Sequence, residues 1–159
     1  MTDLTALKEL LERVEKATEP SKELNGDIAV ITGQFNPADC YRGRLDTHGD
    51  LWYGGWHRSG PAFVAPPYTS SIDACVALIE KVLPGWWWST GRCALTGDAS
   101  IGPDYNGPDR ERLFREFPVE RFDGGIHADL PPGDGPHRCC YALLHVLLSA
   151  LIAKKESNA

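Results

Sequence analysis

The sequence predicts an α+β domain in which a small, mainly antiparallel sheet carries helices packed on its faces. Apolar stripes at helical spacing occupy both ends of the chain and one central segment. Between them lie stretches rich in Gly, Pro and aromatic residues, which break helices and favour short strands and turns. Helices flanking strands, with no regular β–α alternation, belong to the α+β class. At 159 residues the chain has the length of one domain.

Residues 3–18 place Leu4, Leu7, Leu10, Leu11 and Val14 on one helical face, with Glu9, Glu12, Arg13 and Lys16 between them. Pro20 ends this helix. Ser21 is the expected cap of a second, carrying Leu24, Ile28 and Ile31 and leaving at Gly33. Residues 33–67 change character: Gly and Pro recur among aromatics, so a Gly/Pro/aromatic-rich elaboration is expected on the single domain 1–159. Short strands fit it, with a hairpin turning at His48-Gly49-Asp50.

Helical periodicity returns with Ile72, Cys75, Val76, Ile79, Val82 and Leu83, behind a cap expected at Thr69 or Ser70. Pro84-Gly85 stops it. Trp86 to Leu95 reads as a strand in which Trp86 and Trp88 share one face and Trp87 takes the other, all three in core roles. Residues 97–110, dense in Gly, Pro, Asp and Asn, read as a loop. Residues 112–122 are ambiguous and divided by Pro118, 125–130 is the last strand, and 137–155 the last helix. That helix is apolar nearly all round, so it is either central to the core or covered by a partner, and a homodimer through it is one expectation.

Apolar residues at 42% and charged residues at 24% are ordinary for a globular chain. Sixteen Lys plus Arg against 22 Asp plus Glu leave a net charge of -6, which disfavours direct nucleic-acid binding. Asp3 and the missing apolar run rule against a signal peptide, and the apolar stretch 139–153 is shorter than the about 20 residues a bilayer requires. A cytoplasmic protein without membrane contact is expected. The five cysteines (Cys40, Cys75, Cys93, Cys139, Cys140) show no disulfide framework and read as buried free thiols.

Certain stretches resemble a small, mostly uncharacterised bacteriophage and prophage protein family with a helix–sheet–helix "phage ABA sandwich" domain. The resemblance lies in Leu11-Glu-Arg-Val-Glu-Lys-Ala-Thr-Glu-Pro-Ser-Lys-Glu-Leu-Asn-Gly-Asp-Ile-Ala29, in Pro67-Tyr-Thr-Ser-Ser-Ile-Asp-Ala74 with Leu83-Pro-Gly-Trp-Trp87, and in Cys140-Tyr-Ala-Leu-Leu144 onward. It covers about half the chain and implies an α/β/α sandwich and a phage or prophage origin. It brings no catalytic residues. The segment before Pro67 and the stretch 129–137 depart from the family pattern, and a function particular to this chain is expected in those additions.

The densest chemical cluster is His48-Gly-Asp-Leu-Trp-Tyr-Gly-Gly-Trp-His-Arg58. Trp52, Tyr53, Trp56, His57 and Arg58 are the candidate partner- or ligand-binding residues, because Trp, Tyr and Arg supply most interface hot spots and also stack on bases. The plainer reading is a hairpin whose tryptophans cover a sheet. Metal binding is not expected: Cys40, His48 and His57, and His137 with Cys139-Cys140, lack zinc-site spacing. No hydrolase, metalloprotease or phosphate-loop motif is present. Asp98 and Asp104 read as turn residues, and His127 with Asp129 would share a strand face as an acid–base pair, most simply a surface one. Neither an enzyme nor a cofactor is expected.

Three functions follow. The first is a phage-derived inhibitor of a host antiviral defence protein, acting by contact. The second is a sponge for a nucleotide immune signal, with the aromatics stacking the base and Arg42, Arg44 or Arg58 holding phosphate. The third is a structural or assembly component of the phage particle.

Overall fold

The computed structural model describes residues 3–34, 41–45, 51–54, 63–92, 97–130, 135 and 137–158. Helix α1 (Leu4–Lys16) is capped by Asp3, whose side chain accepts from Thr5 N–H at 3.1 Å, and buries Leu7, Leu10 and Val14. Helix α2 (Lys22–Ile31) begins where Ser21 Oγ accepts from Leu24 N–H at 3.1 Å. It buries Leu24, Ile28 and Ala29, and Gly33 takes φ +78° at its exit. The N-cap and the exit both match the sequence expectation.

Within residues 33–67 the described strands β1 (Tyr41–Leu45), β2 (Leu51–Gly54) and β3 (Phe63–Val64) form an antiparallel sheet with β2 in the middle. Strands β1 and β2 pair as the expected hairpin. Its expected turn at 48–50 lies outside the described residues.

Helix α3 (Ile72–Val82) starts one hydroxyl later than expected: Ser71 Oγ accepts from Ala74 N–H at 3.2 Å. Thr69 is taken by tertiary structure instead. Its N–H donates to Asn25 Oδ1 at 2.8 Å, and its hydroxyl oxygen accepts from Ser21 N–H at 2.9 Å. Three consecutive hydroxyl residues could each cap a helix, and the contact with α2 selects the third.

The second sheet contains β4 (Trp86–Arg92), β5 (Gly97–Pro103) and β6 (Ile126–Asp129), antiparallel in that order. Its central strand is part of the segment the sequence reads as a loop. The composition misleads because β5 is shaped by what lies over it. A Cβ at Gly97 would collide with Leu130, and one at Gly102 would stand 2.7 Å from the Trp87 ring. Pro103 closes the strand, where a missing N–H does least harm, and the next amide, Asp104 N–H, bonds Gly85 O at 3.0 Å. Short helices α4 (Arg110–Glu116) and α5 (Val119–Phe122) follow, divided at Pro118 as the sequence suggests.

Helix α6 (His137–Ser157) lies across all three strands of this sheet, while α1 and α3 pack against it. Cys139 to Leu144, Val146 to Leu148 and Ala150 are buried. Most of the apolar surface of α6 is therefore covered within one chain, while Leu151, Ile152 and Ala153 in its last turns are half-buried. The fold class is the expected one, α+β with helices packed on a small antiparallel sheet. Its layering is one-sided: the helices of both chain ends meet on the same face of β4–β6.

Trp86 belongs to that core, edge-on to Phe117 at 4.9 Å and to Phe122 at 5.8 Å. The core role expected for its two neighbours is corrected, since Trp87 is 37% and Trp88 39% exposed. Trp87 stands on the helix-free face, resting over Gly102 and Gly125, which gives that face an apolar cover without a second helical layer. Among the described residues, no helix is long and apolar enough to cross a membrane.

Candidate functional site

Two of the five candidate residues fall on described backbone. Trp52 and Tyr53 are neighbours in β2, the strand flanked on both sides, and α2 packs against that strand. In the ladder Trp52 pairs with Val64, and Tyr53 pairs with Phe63 on one side and Arg42 on the other. Arg44 lies two residues further along β1. The fold thus brings one arginine proposed for phosphate directly opposite one aromatic proposed for stacking. Trp56, His57 and Arg58, with His48, lie outside the described residues, as do Cys40 and Cys93.

The helix-free face of the second sheet holds a polar group that the sequence shows only in part. Ser100 faces His127 across the β5–β6 ladder, with Oγ 2.6 Å from Nδ1. His127 Nε2 lies 2.9 Å from Gly124 O. A carbonyl only accepts, so Nε2 carries the proton, and in the neutral ring Nδ1 accepts from the Ser100 hydroxyl. Both ring nitrogens are thereby occupied, and the expected pairing of His127 with Asp129 does not form although the two share a face. Asp129 stands opposite Asp98, which is a strand residue and not the turn residue the sequence suggests.

A histidine that accepts a serine proton is the start of a nucleophile. Here, however, Ser100 is in the central strand, whose amides are engaged in ladders on both sides. The same bonds tie β5 to β6 and fix the Gly124–Gly125 turn, where φ is +82° and +80°. Sequence reading finds His127 through its period-two spacing. It misses Ser100 because β5 was not recognised as a strand.

Cys75, Cys139 and Cys140 are free and buried, as expected. Cys75 Sγ donates to Tyr68 O at 2.9 Å and lies 3.8 Å from Cys140 O. Its hydrogen bond with the Cys140 side chain, and then burial, push the Cys75 thiol up, while the same hydrogen bond draws Cys140 down. Burial, then the neighbouring Cys75, pushes the Tyr68 phenol up to about 12. Among the described residues no cluster of three His, Cys, Asp or Glu side chains could hold a metal ion. Compared with protein-family models, curated proteins and solved structures, the chain matches none.

Proposed function

We propose that this chain is a non-enzymatic binding protein of phage or prophage origin that inhibits a host antiviral defence system by protein–protein contact in the bacterial cytoplasm. The observation that carries the reading is the β1–β2–β3 sheet, built from the segment in which the chain departs from the phage family it resembles, with Trp52 and Tyr53 in its central strand. Aromatic residues held on a ladder backed by α2 supply contact area at low entropic cost, as interface anchors require. The net charge of -6 favours a target with a basic surface, such as the groove of a nucleic-acid-guided nuclease.

The test is phage plating on a host that carries the defence system. The intact chain restores plating, and Trp52→Ala with Trp56→Ala and Arg58→Ala abolishes the rescue without changing thermal stability. Full rescue by the triple variant rules the hairpin surface out.

The pairing of Arg42 with Tyr53 favours one second reading, a sponge for a nucleotide immune signal. That reading predicts a nucleotide retained through purification and released on denaturation, and Arg42→Ala would abolish retention. A structural role in the particle predicts instead that the chain is present in purified virions.

A further inference from the structure

A cavity of about 350 Å³ opens where the first turn of α2 meets the chain between β3 and α3, walled by Pro20, Val64, Ala65 and Pro67. Asn25 lines it, although only 6% of that residue is exposed. Asn25 Oδ1 accepts from the Thr69 N–H at 2.8 Å, and since a backbone N–H only donates, the carboxamide orientation is fixed. Its NH2 therefore points away from Thr69, and it donates to nothing among the described residues. Buried donors are nearly always satisfied, so one left over beside a cavity points to an acceptor that enters it. Trp86 Nε1 and His145 Nδ1 are also without partners among the described residues, but both are sealed inside the protein, and the Asn25 NH2 is not.

The neighbouring groups select the charge of that acceptor. Ser21 Oγ accepts from the Leu24 N–H, which leaves its own hydrogen to give. The first turn of α2 presents the positive end of the helix dipole, where anions are favoured. Glu23, the acid of that turn, is not among the residues lining the cavity, whereas Lys22 is. The remaining walls are apolar. A phosphate would leave charged oxygens facing proline and valine, at a desolvation cost that a carboxylate on an apolar chain avoids.

We propose that this cavity binds a small carboxylate carried on a short apolar chain. The Asn25 NH2 and the Ser21 hydroxyl donate to its oxygens, and the chain lies between Pro20, Val64 and Pro67. Binding here is independent of the inhibitor reading and requires no host defence protein.

Nuclear magnetic resonance of isotope-labelled protein tests this with hexanoate, and with hexanamide as the uncharged counterpart. The Asn25 side-chain NH2 signals are expected to shift saturably with hexanoate, and hexanamide to bind about tenfold more weakly or worse. Asn25→Asp keeps an oxygen for the Thr69 N–H but sets a negative oxygen where the NH2 was. Ser70→Trp fills the cavity from its exposed rim and leaves the Asn25–Thr69 bond in place. Both variants are expected to lose the hexanoate-induced shifts at the Ser21 and Lys22 amides, and Ser70→Trp decides alone where Asn25→Asp fails to fold. The proposal is overturned by the absence of a saturable shift at the Asn25 NH2. Equal binding of hexanamide overturns it as well, as does hexanoate binding that survives in folded Ser70→Trp.

Discussion

Replacing Asn25 by alanine removes the acceptor of a buried amide and is expected to destabilise the fold well beyond an ordinary surface change. Asn25 is 6% exposed, and the Thr69 N–H it holds at 2.8 Å belongs to a residue with 0% exposure. In Asn25→Ala that amide loses its acceptor. An unsatisfied buried donor costs about 1–3 kcal/mol, and complete burial puts this one at about 2–3 kcal/mol. In a domain of this size that lowers the melting temperature by about 4–12 °C. Thr69→Val provides a graded contrast. It frees Ser21 N–H, which is only part-buried, and should cost about 1 kcal/mol. Urea unfolding followed by circular dichroism reads both, with the midpoint reduced and the slope retained. An Asn25→Ala midpoint within error of the intact chain would refute the claim that this bond joins α2 to the start of α3.

Three further outcomes are expected. The Trp86 Nε1–H is buried without a partner among the described residues, so Trp86→Phe should cost less than about 1.5 kcal/mol, whereas Trp86→Ala should cost about 3–5 kcal/mol by thermal unfolding. Gly125→Ala should destabilise by more than Gly102→Ala. It adds a strained φ of +80° and a Cβ 2.5 Å from the Ile101 carbonyl oxygen, while at Gly102 the obstacle is the exposed Trp87 ring, which can swing away; paired melts rank the two. Tyr68 binds its proton more tightly in the folded chain than the usual phenol near 10, at about 12. Stability from the neutral phenol is fully present below 10 and is lost as pH rises through about 12, a loss that Tyr68→Phe should reduce in alkaline urea titrations.

The helices were legible because their information is local. The stripe of Leu7, Leu10 and Val14, the cap at Ser21 and the break at Gly33 each act within a few residues of their own position. Strand β5 was hidden for the opposite reason: its glycines answer to Trp87 and Leu130, which lie elsewhere in the sequence. The helix cap shows the same division. Residues 69–71 all carry hydroxyls, and only the distant Asn25 and Ser21 determine that Thr69 faces α2 while Ser71 caps α3. Periodicity left two readings of α6, core or interface, and the packing of α1, α3 and the sheet on it accounts for the core reading from Cys139 to Ala150. In the candidate site, the hairpin was foreseen from the Gly and aromatic pattern, and Trp52 and Tyr53 entered β2 accordingly. The link between Ser100 and His127 could emerge only once β5 and β6 were paired.

The claim that this chain acts by protein contact through its hairpin sheet is tested most directly on the chain isolated from a host carrying the defence system. Native and denatured mass spectra should be recorded on the intact protein and on the Trp52, Trp56 and Arg58 triple alanine variant. The predicted result is a complex with a defence protein that is present for the intact chain and lost in the variant. A nucleotide-sized mass that disappears on denaturation, or a protein complex that survives the triple substitution, would contradict it.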